Sequence, residues 1–273
     1  MEVVLMPKEA QSLLPSDVPD RAIILERLHR VLDPELDEPV LQLGFIKSLH
    51  VQGGHATVAM HMPTSWCAVN FVYMIAEDIR HALLTVESIH AVTIRLGDHF
   101  AAPAIETGVN AGTPFAEAFA AEGGGNLDAL REIFLRKGFT SRQERLLRGL
   151  KDAGLTAADI CAMRIGDLSF AGDACLARCA GRKPVEVGPA DTARRYLQRR
   201  GELGLDGSPT WPLITDLQDQ PLAVERLEEH WTRARTVRLS LEANGALCRA
   251  VLAARQTNAH DMLFLGQTKC FQR

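Results

Sequence analysis

The residues best placed for chemistry in this 273-residue chain lie in one short run, Pro63-Thr64-Ser65-Trp66-Cys67. The run links a strand-like segment to a helix-like one, which puts Cys67 in the first helical turn. Free N–H groups and the positive end of the helix dipole favour a thiolate there, the form that binds metal or attacks an electrophile. Thr64 and Ser65 are placed to cap the same helix and to hydrogen-bond the sulfur or its ligand. A second cluster is the acidic turn Asp33-Pro34-Glu35-Leu36-Asp37-Glu38, and His61 is a third candidate. Taken singly, each has a plainer reading. A free cysteine is often only a small buried residue, an acidic run is usually solvated surface, and a strand histidine is more often surface than ligand.

The elements that must position these groups follow from periodicity. Ile23, Ile24, Leu28, Val31 and Leu32 recur at helical spacing, so 18–32 reads as a helix capped by Ser16 or Asp17 and ended by Asp33-Pro34. Phe45–Val51 and His55–Met62 read as strands joined at Gly53-Gly54, where a tight hairpin needs positive φ. Residues 67–84 read as a helix with Val69, Val72, Ile75, Ile79 and Leu83 on one face, and 88–96 as a third strand. The result is a compact α-β-β-α-β domain over residues 1–100. Residues 101–125, alanine-rich with glycines in GVNAG and EGGGN, read as a linker with at most one short helix.

Residues 126–273 read as a mainly α-helical domain with a small β-hairpin, so the fold class is α+β. Asn126 caps a helix over 127–137 that Gly138 ends. Thr140 and Gln143 form a capping box for the next helix, stopped by Gly154, and Thr156 with Asp159 starts a short one. Residues 168–187 read as the hairpin. Helices follow at 190–203, 221–235 and 240–255, the last with an unusual Asn244-Gly245 inside it, and no element is readable after Thr257.

Composition sets the outer bounds. Hydrophobic residues make up 47% and charged residues 23% of the chain, which excludes wholesale disorder. Charges, glycines and prolines break every apolar stretch before the roughly 18 residues of a membrane span. The first twenty residues lack the apolar core of a secretory signal, so the expected compartment is the cytoplasm. The net charge of -4 divides unevenly. Residues 1–100 carry 13 acids and 7 bases, and residues 101–273 carry 21 acids and 23 bases. Neither half is basic enough to announce nucleic-acid binding. The six cysteines include no CxxC, and Cys175 and Cys179 in CxxxC spacing are weak evidence for a metal site.

The segment from Val31 to Leu96 resembles the MIP18 family of iron–sulfur assembly proteins (the DUF59 domain). Asp33, Pro34 and Glu35 stand where that family carries Asp-Pro-Glu, Leu43 and Gly44 where it carries Leu-Gly, and Cys67 where its loop carries the cysteine. The resemblance implies a metal or cluster ligand at Cys67, with Asp33, Glu35 and Thr64 as cofactor-binding neighbours. The cargo it implies is iron or an iron–sulfur cluster held transiently. The chain departs from the family pattern at Ser65-Trp66, where Pro-Gly is usual, and at Ala68, where proline is common. Trp66 beside the thiol suggests a specialised partner or a more covered site. The PTxxCAxNF form followed by a long extra region resembles the members that accompany bacterial binuclear-iron monooxygenases. That likeness implies an accessory maturation protein whose partner is an oxygenase subunit or another client metalloprotein.

One cysteine cannot hold a cluster alone, because clusters usually need about four thiolates. The other ligands must come from a second subunit (a homodimer), the client, Asp, Glu or His side chains, or a small thiol. Delivery rather than storage is the expected role, and no catalytic residue is expected.

Two other readings compete. Residues 140–235 faintly resemble the catalytic domain of tyrosine recombinases. That chemistry needs a tyrosine nucleophile near the C-terminus with arginines on the phosphate. The tyrosines here are Tyr73 and Tyr196 alone, Thr156 stands where the first arginine would fall, and only Lys183 fits. DNA cleavage is not expected. DNA binding would use Lys183 with Arg194, Arg195, Arg199 and Arg200, which share one helical face that reads as solvated. The last reading, a thiol enzyme with Cys67 as nucleophile, lacks an assignable His–Asp partner.

Overall fold

A computed structural model describes the backbone of residues 13–122 and 125–267, with side chains described for 13–121 and 125–255. The beginning of the lead-in and the end of the tail lie outside the described residues. The chain divides into two compact units, one of residues 1–128 with 243–273, the other of residues 129–242.

The first unit opens with helix α1 (Arg21–His29), which buries Ile24, Leu25 and Leu28. Its N-cap is Asp20, in the left-handed region with no side-chain cap bond, rather than Ser16 or Asp17. Two short strands, β1 (Leu32–Asp33) and β2 (Glu38–Pro39), pair antiparallel across the acidic turn. Strands β3 (Ile46–Gln52) and β4 (His55–His61) form the expected hairpin, with Gly53 and Gly54 at φ 56° and 76°. Helix α2 (Val69–Leu84) crosses over, and β5 (Ala91–Gly97) returns parallel to β4, giving sheet order β3-β4-β5. The face of α2 that was read from spacing is the one that packs: Val72, Ile75, Ile79 and Leu83 are fully buried against Val58, Met60 and Ile94 of the sheet.

Residues 101–125 differ from a linker. Helices α3 (Ala102–Ala111) and α4 (Phe115–Ala118) lie there, and Ile105, Val109 and Phe119 join the core of the first unit. The helix also serves the sheet edge. Asn110 accepts from the amide of Ile94 at 2.7 Å and donates to its carbonyl at 2.9 Å, and Glu106 accepts from the amide of Leu96 at 2.8 Å. An edge strand otherwise presents unpaired backbone groups, and these side chains supply its partners.

In the second unit, helix α5 (Leu127–Asp152) runs unbroken through Gly138. The expected stop there and the capping box after it do not form. Thr140 bonds back to the carbonyl of Arg136, and Gln143 is buried, bonding the Thr215 carbonyl and the Tyr196 hydroxyl. Packing of Gly138, Phe139, Leu146, Leu147 and Leu150 decides the continuity, as tertiary burial commonly overrides a local stop. The box at Thr156 and Asp159 does form, opening α6 (Ala157–Ala162). The hairpin gains a strand: β6 (Leu168–Ala171), β7 (Ala174–Ala177) and β8 (Val185–Pro189) make an antiparallel sheet. Helix α7 (Ala190–Glu202) follows, and α8 (Leu227–Gln267) is one helix where two were read, running on past Thr257.

The basic run of α7 is not a solvated face. Arg200 is fully buried, bonding Thr215 Oγ1 at 2.9 Å, the Asp206 carbonyl and the Asp219 carboxylate. Arg199 is 6% exposed and pairs with Glu202 at 3.0 Å. Arg194 lies over the Phe170 ring, and Arg195 pairs with Asp191 at 2.7 Å. The loop over residues 206–219 offers Arg200 carbonyl, hydroxyl and carboxylate partners, while Arg199 is buried beside Glu202 of its own helix.

Gly149 is where α5 meets β8. A Cβ built there would sit 2.0 Å from the carbonyl oxygen of Val187. Gly149→Ala is expected to lower stability by about 2–3 kcal/mol, the upper range for forced overpacking. Gly207→Ala, in open space, is the control and should stay within about 0.5 kcal/mol. Urea unfolding midpoints of the two variants check this.

Candidate functional site

Cys67 lies just ahead of α2, not within it. The helix starts at Val69 with Ala68 as N-cap, at φ -58° and ψ 127° and with no side-chain cap bond. The reason is local: Pro63 through Cys67 form a turn, and the chain becomes helical only after Ala68. Thr64 turns its hydroxyl to the sulfur instead of the helix, with Oγ1 3.2 Å from Sγ. Cys67 is half-buried against the core of the first unit, while Trp66 beside it is 77% exposed. Trp66 therefore does not cover the thiol.

The loop is held by donors from elsewhere in the first unit. His99 Nε2 donates to the Cys67 carbonyl at 2.8 Å, and His99 Nδ1 accepts from the amide of Ala101 at 3.2 Å, which fixes one neutral tautomer. The amide of Phe100 donates to the Ser65 carbonyl at 2.9 Å. Arg255, from α8, donates to the carbonyls of Met62 at 2.9 Å and Pro63 at 3.2 Å, and pairs with Asp98 at 2.9 Å. Phe100, whose ring lies 4.9 Å from that of His99, is 68% exposed, so two exposed aromatic side chains lie at the cysteine loop.

His61 is taken up structurally. Its Nε2 donates to the Gly44 carbonyl at 2.6 Å, and burial holds its pKa below the ordinary imidazole value. The acidic turn is also more built than a solvated run. Asp33 is 6% exposed and accepts from the amide of Leu36 at 2.8 Å, while Asp37 sits in the left-handed region at φ 56°. Glu38 pairs with Arg249 of α8. Glu35 is half-buried.

Sequence reasoning missed Cys248. It lies on α8 between three points where that helix meets the first unit. A Cβ on buried Gly245 would come 2.8 Å from Glu38 Oε1, Leu252 reaches within 3.6 Å of the Cβ position of Gly44, and Arg255 holds the Met62 and Pro63 carbonyls. Residues 245, 248, 252 and 255 share one helical face. The half-buried Cys248 thiol is pushed up first by burial, then by the charges of Asp33, Cys67 and Glu35, with Arg249 opposing. The signal available in the sequence was Asn244-Gly245: a glycine inside a helix marks a close approach. Among the described residues, no three His, Cys, Asp or Glu side chains are placed to hold one metal ion together.

Comparison with known proteins bears on this site. Residues 21–96 match the family described as iron-sulfur cluster assembly protein. The matched segment runs from α1 to Leu96 of β5 and contains the acidic turn and Cys67, so it is this part of the chain that is similar to iron–sulfur cluster assembly proteins. No curated protein and no solved structure matches the chain. Among the described residues, no helix is long and apolar enough to cross a membrane.

Asp33 generates a pH prediction. Burial, then the charges of Glu35 and Glu38, outweigh the amides of Leu36 and Glu35 and raise its pKa from 3.8 to about 6. Between these values the folded state holds a proton that the unfolded state has lost, so stability falls as pH rises from 4 to 6. The fall is about 3 kcal/mol over the whole titration, of which about 2 kcal/mol comes between pH 4 and pH 6. Asn at this position still accepts from Leu36 and carries no charge. Asp33→Asn is expected to remove most of that fall and to exceed wild-type stability at pH 7, read by denaturant unfolding at pH 4 and pH 7.

Proposed function

We propose that the chain is an accessory maturation factor that passes iron or an iron–sulfur cluster to a client metalloprotein by direct contact, with Cys67 as the ligand. The observation that carries this reading is Cys67 itself: the assembly domain presents a half-buried thiol on a loop flanked by exposed aromatic side chains. A cargo that must be handed on needs a ligand near the surface and a docking face beside it. Thr64 would hydrogen-bond the sulfur, and the acidic turn with Asp33 and Glu35 would favour a cation beside it.

Among the described residues, no nucleophile–base pair is found at this loop, where both nitrogens of His99 are engaged by backbone groups. We therefore read the protein as a carrier rather than an enzyme. The client we favour is a binuclear-iron monooxygenase, on the strength of the PTxxCAxNF form and the long extra region. The compartment proposed here is the cytoplasm, as the sequence suggests.

Anaerobic reconstitution with ferrous iron and sulfide tests the ligand. The wild-type protein is expected to retain iron after desalting, and Cys67→Ala to lose most of it. Equal iron in both proteins, or none in either, removes Cys67 as ligand. The client is tested separately: an oxygenase subunit should co-purify with the tagged chain, and deleting the gene should abolish oxygenase activity.

A further inference from the structure

We propose that His99 is the positioning residue of the Cys67 thiol: by holding the Cys67 carbonyl it sets the direction in which the loop presents the sulfur. The proposal rests on the reading of Cys67 as a metal ligand and extends it to a residue beyond the matched segment, which ends at 96.

Geometry carries it. His99 is 6% exposed, and its Nδ1 accepts from the amide of Ala101 at 3.2 Å. A backbone amide only donates, so the ring proton sits on Nε2, and Nε2 donates to the Cys67 carbonyl at 2.8 Å. The imidazole is thus held at both nitrogens and has one orientation. The next residue adds a second pin, since the Phe100 amide donates to the Ser65 carbonyl at 2.9 Å. Peptide units are planar, so holding these two carbonyls fixes two peptide planes around Trp66 and Cys67. The Cα–Cβ bond of Cys67 turns with the plane that carries its carbonyl. That plane lies outside the helix, which starts only at Val69.

Packing fixes the brace behind His99. The His99 carbonyl accepts from the amide of Ala102 at 3.0 Å, and the Ala101 carbonyl from that of Ile105 at 3.0 Å, which ties His99 to the start of α3. Ile105 and Val109 are buried in the core of the first unit, and Asn110 and Glu106 bond the edge of β5. A side chain locked on a packed element is the kind of group that orients a metal ligand, and losing one typically costs about 10–100-fold in metal affinity. His99 holds the backbone of Cys67 rather than its sulfur, so the lower end, about tenfold, is expected. Thr64 Oγ1, 3.2 Å from Sγ, acts on the sulfur itself and does not replace a fixed backbone.

Two substitutions separate the roles of the two nitrogens. In His99→Gln the side-chain Nε2 lies as many bonds from the backbone as the imidazole Nε2, so it keeps the donor to Cys67 and gives up the acceptor for Ala101. His99→Asn does the reverse, with Oδ1 in place of Nδ1. Positioning predicts that His99→Gln stays close to wild type and that His99→Asn behaves like His99→Ala. In the full chain without metal, iodoacetamide alkylation of Cys67, read by mass spectrometry, should quicken roughly two- to tenfold in His99→Asn and His99→Ala, the population shift that one hydrogen bond can hold. It should stay near the wild-type rate in His99→Gln. Cys161, a half-buried thiol of the other unit, is the internal standard. Ferrous iron, titrated anaerobically against a chelator, should bind about tenfold more weakly to His99→Asn and His99→Ala than to wild type.

Wild-type alkylation and iron affinity in His99→Asn overturn the positioning role and leave the Cys67 reading standing. Losses in His99→Gln as large as in His99→Asn also overturn it, because His99 then only supports the turn at Ala101. Iron held equally by Cys67→Ala overturns the Cys67 reading, and the alkylation rates still decide His99. A measurement on the unchanged protein guards against misfolded variants. Side-chain nitrogen NMR in mildly alkaline buffer should show His99 as the Nε2–H tautomer, and the Nδ1–H tautomer overturns the proposal.

Discussion

The loop from Met62 to Cys67 has to expose a thiol without leaving its backbone unsatisfied. It belongs neither to the sheet nor to the helix that follows, so its carbonyls have no regular partners, and buried carbonyls rarely go without one. Each donor comes from a distant part of the chain. Arg255 serves Met62 and Pro63, the Phe100 amide serves Ser65, and His99 serves Cys67. The rest of the first unit follows from that demand. Strand β5 must end where His99 and Phe100 can turn back, and α8 must dock where its arginine reaches the carbonyls.

The same logic explains why the domain is larger than the segment that matches its family. The matched residues end at 96, before His99, Phe100, Asn110 and Arg255. Without α3, the outer edge of β5 would lose the Asn110 and Glu106 bonds. Without the C-terminal helix, Glu38 and the Met62-Pro63 carbonyls would lose their arginines. The additions complete the domain's backbone bonding and pack against its core.

The second unit is organised around buried polar groups. Arg200 is enclosed by Thr215, Asp206 and Asp219, Arg238 pairs with buried Glu144 and with Glu242, and Gln143 links Tyr196, Thr215 and His230. Removing one member of such a network strands the others, which makes it demanding of geometry. The faint likeness to a recombinase domain was read on this half. Two of the four arginines read there as possible phosphate contacts, Arg199 and Arg200, are buried in the protein, and the Tyr196 hydroxyl donates to the Leu213 carbonyl at 2.6 Å.

Much of this was legible from residue order alone. Alternation along β4, the helical spacing of Val72, Ile75, Ile79 and Leu83, the Gly53-Gly54 turn and the Thr156–Asp159 box are local patterns, and local geometry is enough to produce them. The place of Cys67 between a strand and a helix was legible too, because its loop joins two such patterns, though the helix begins only at Val69. What could not be read is what depends on partners far along the chain. Gly138 could have ended a helix, but burial of Phe139 and its neighbours carries α5 through it. Residues 101–125 look like a spacer until Ile105 and Val109 are seen to fill a core and Asn110 to pair a strand edge. Arg199 and Arg200 have a helical spacing that says only that they share a face, and the chain packed over that face decides that it is inside. Cys248 stands 181 positions from Cys67, and no local rule relates them. Hydrophobic periodicity determined the elements and the thiol loop, and long-range satisfaction of carbonyls and charges determined what surrounds that thiol.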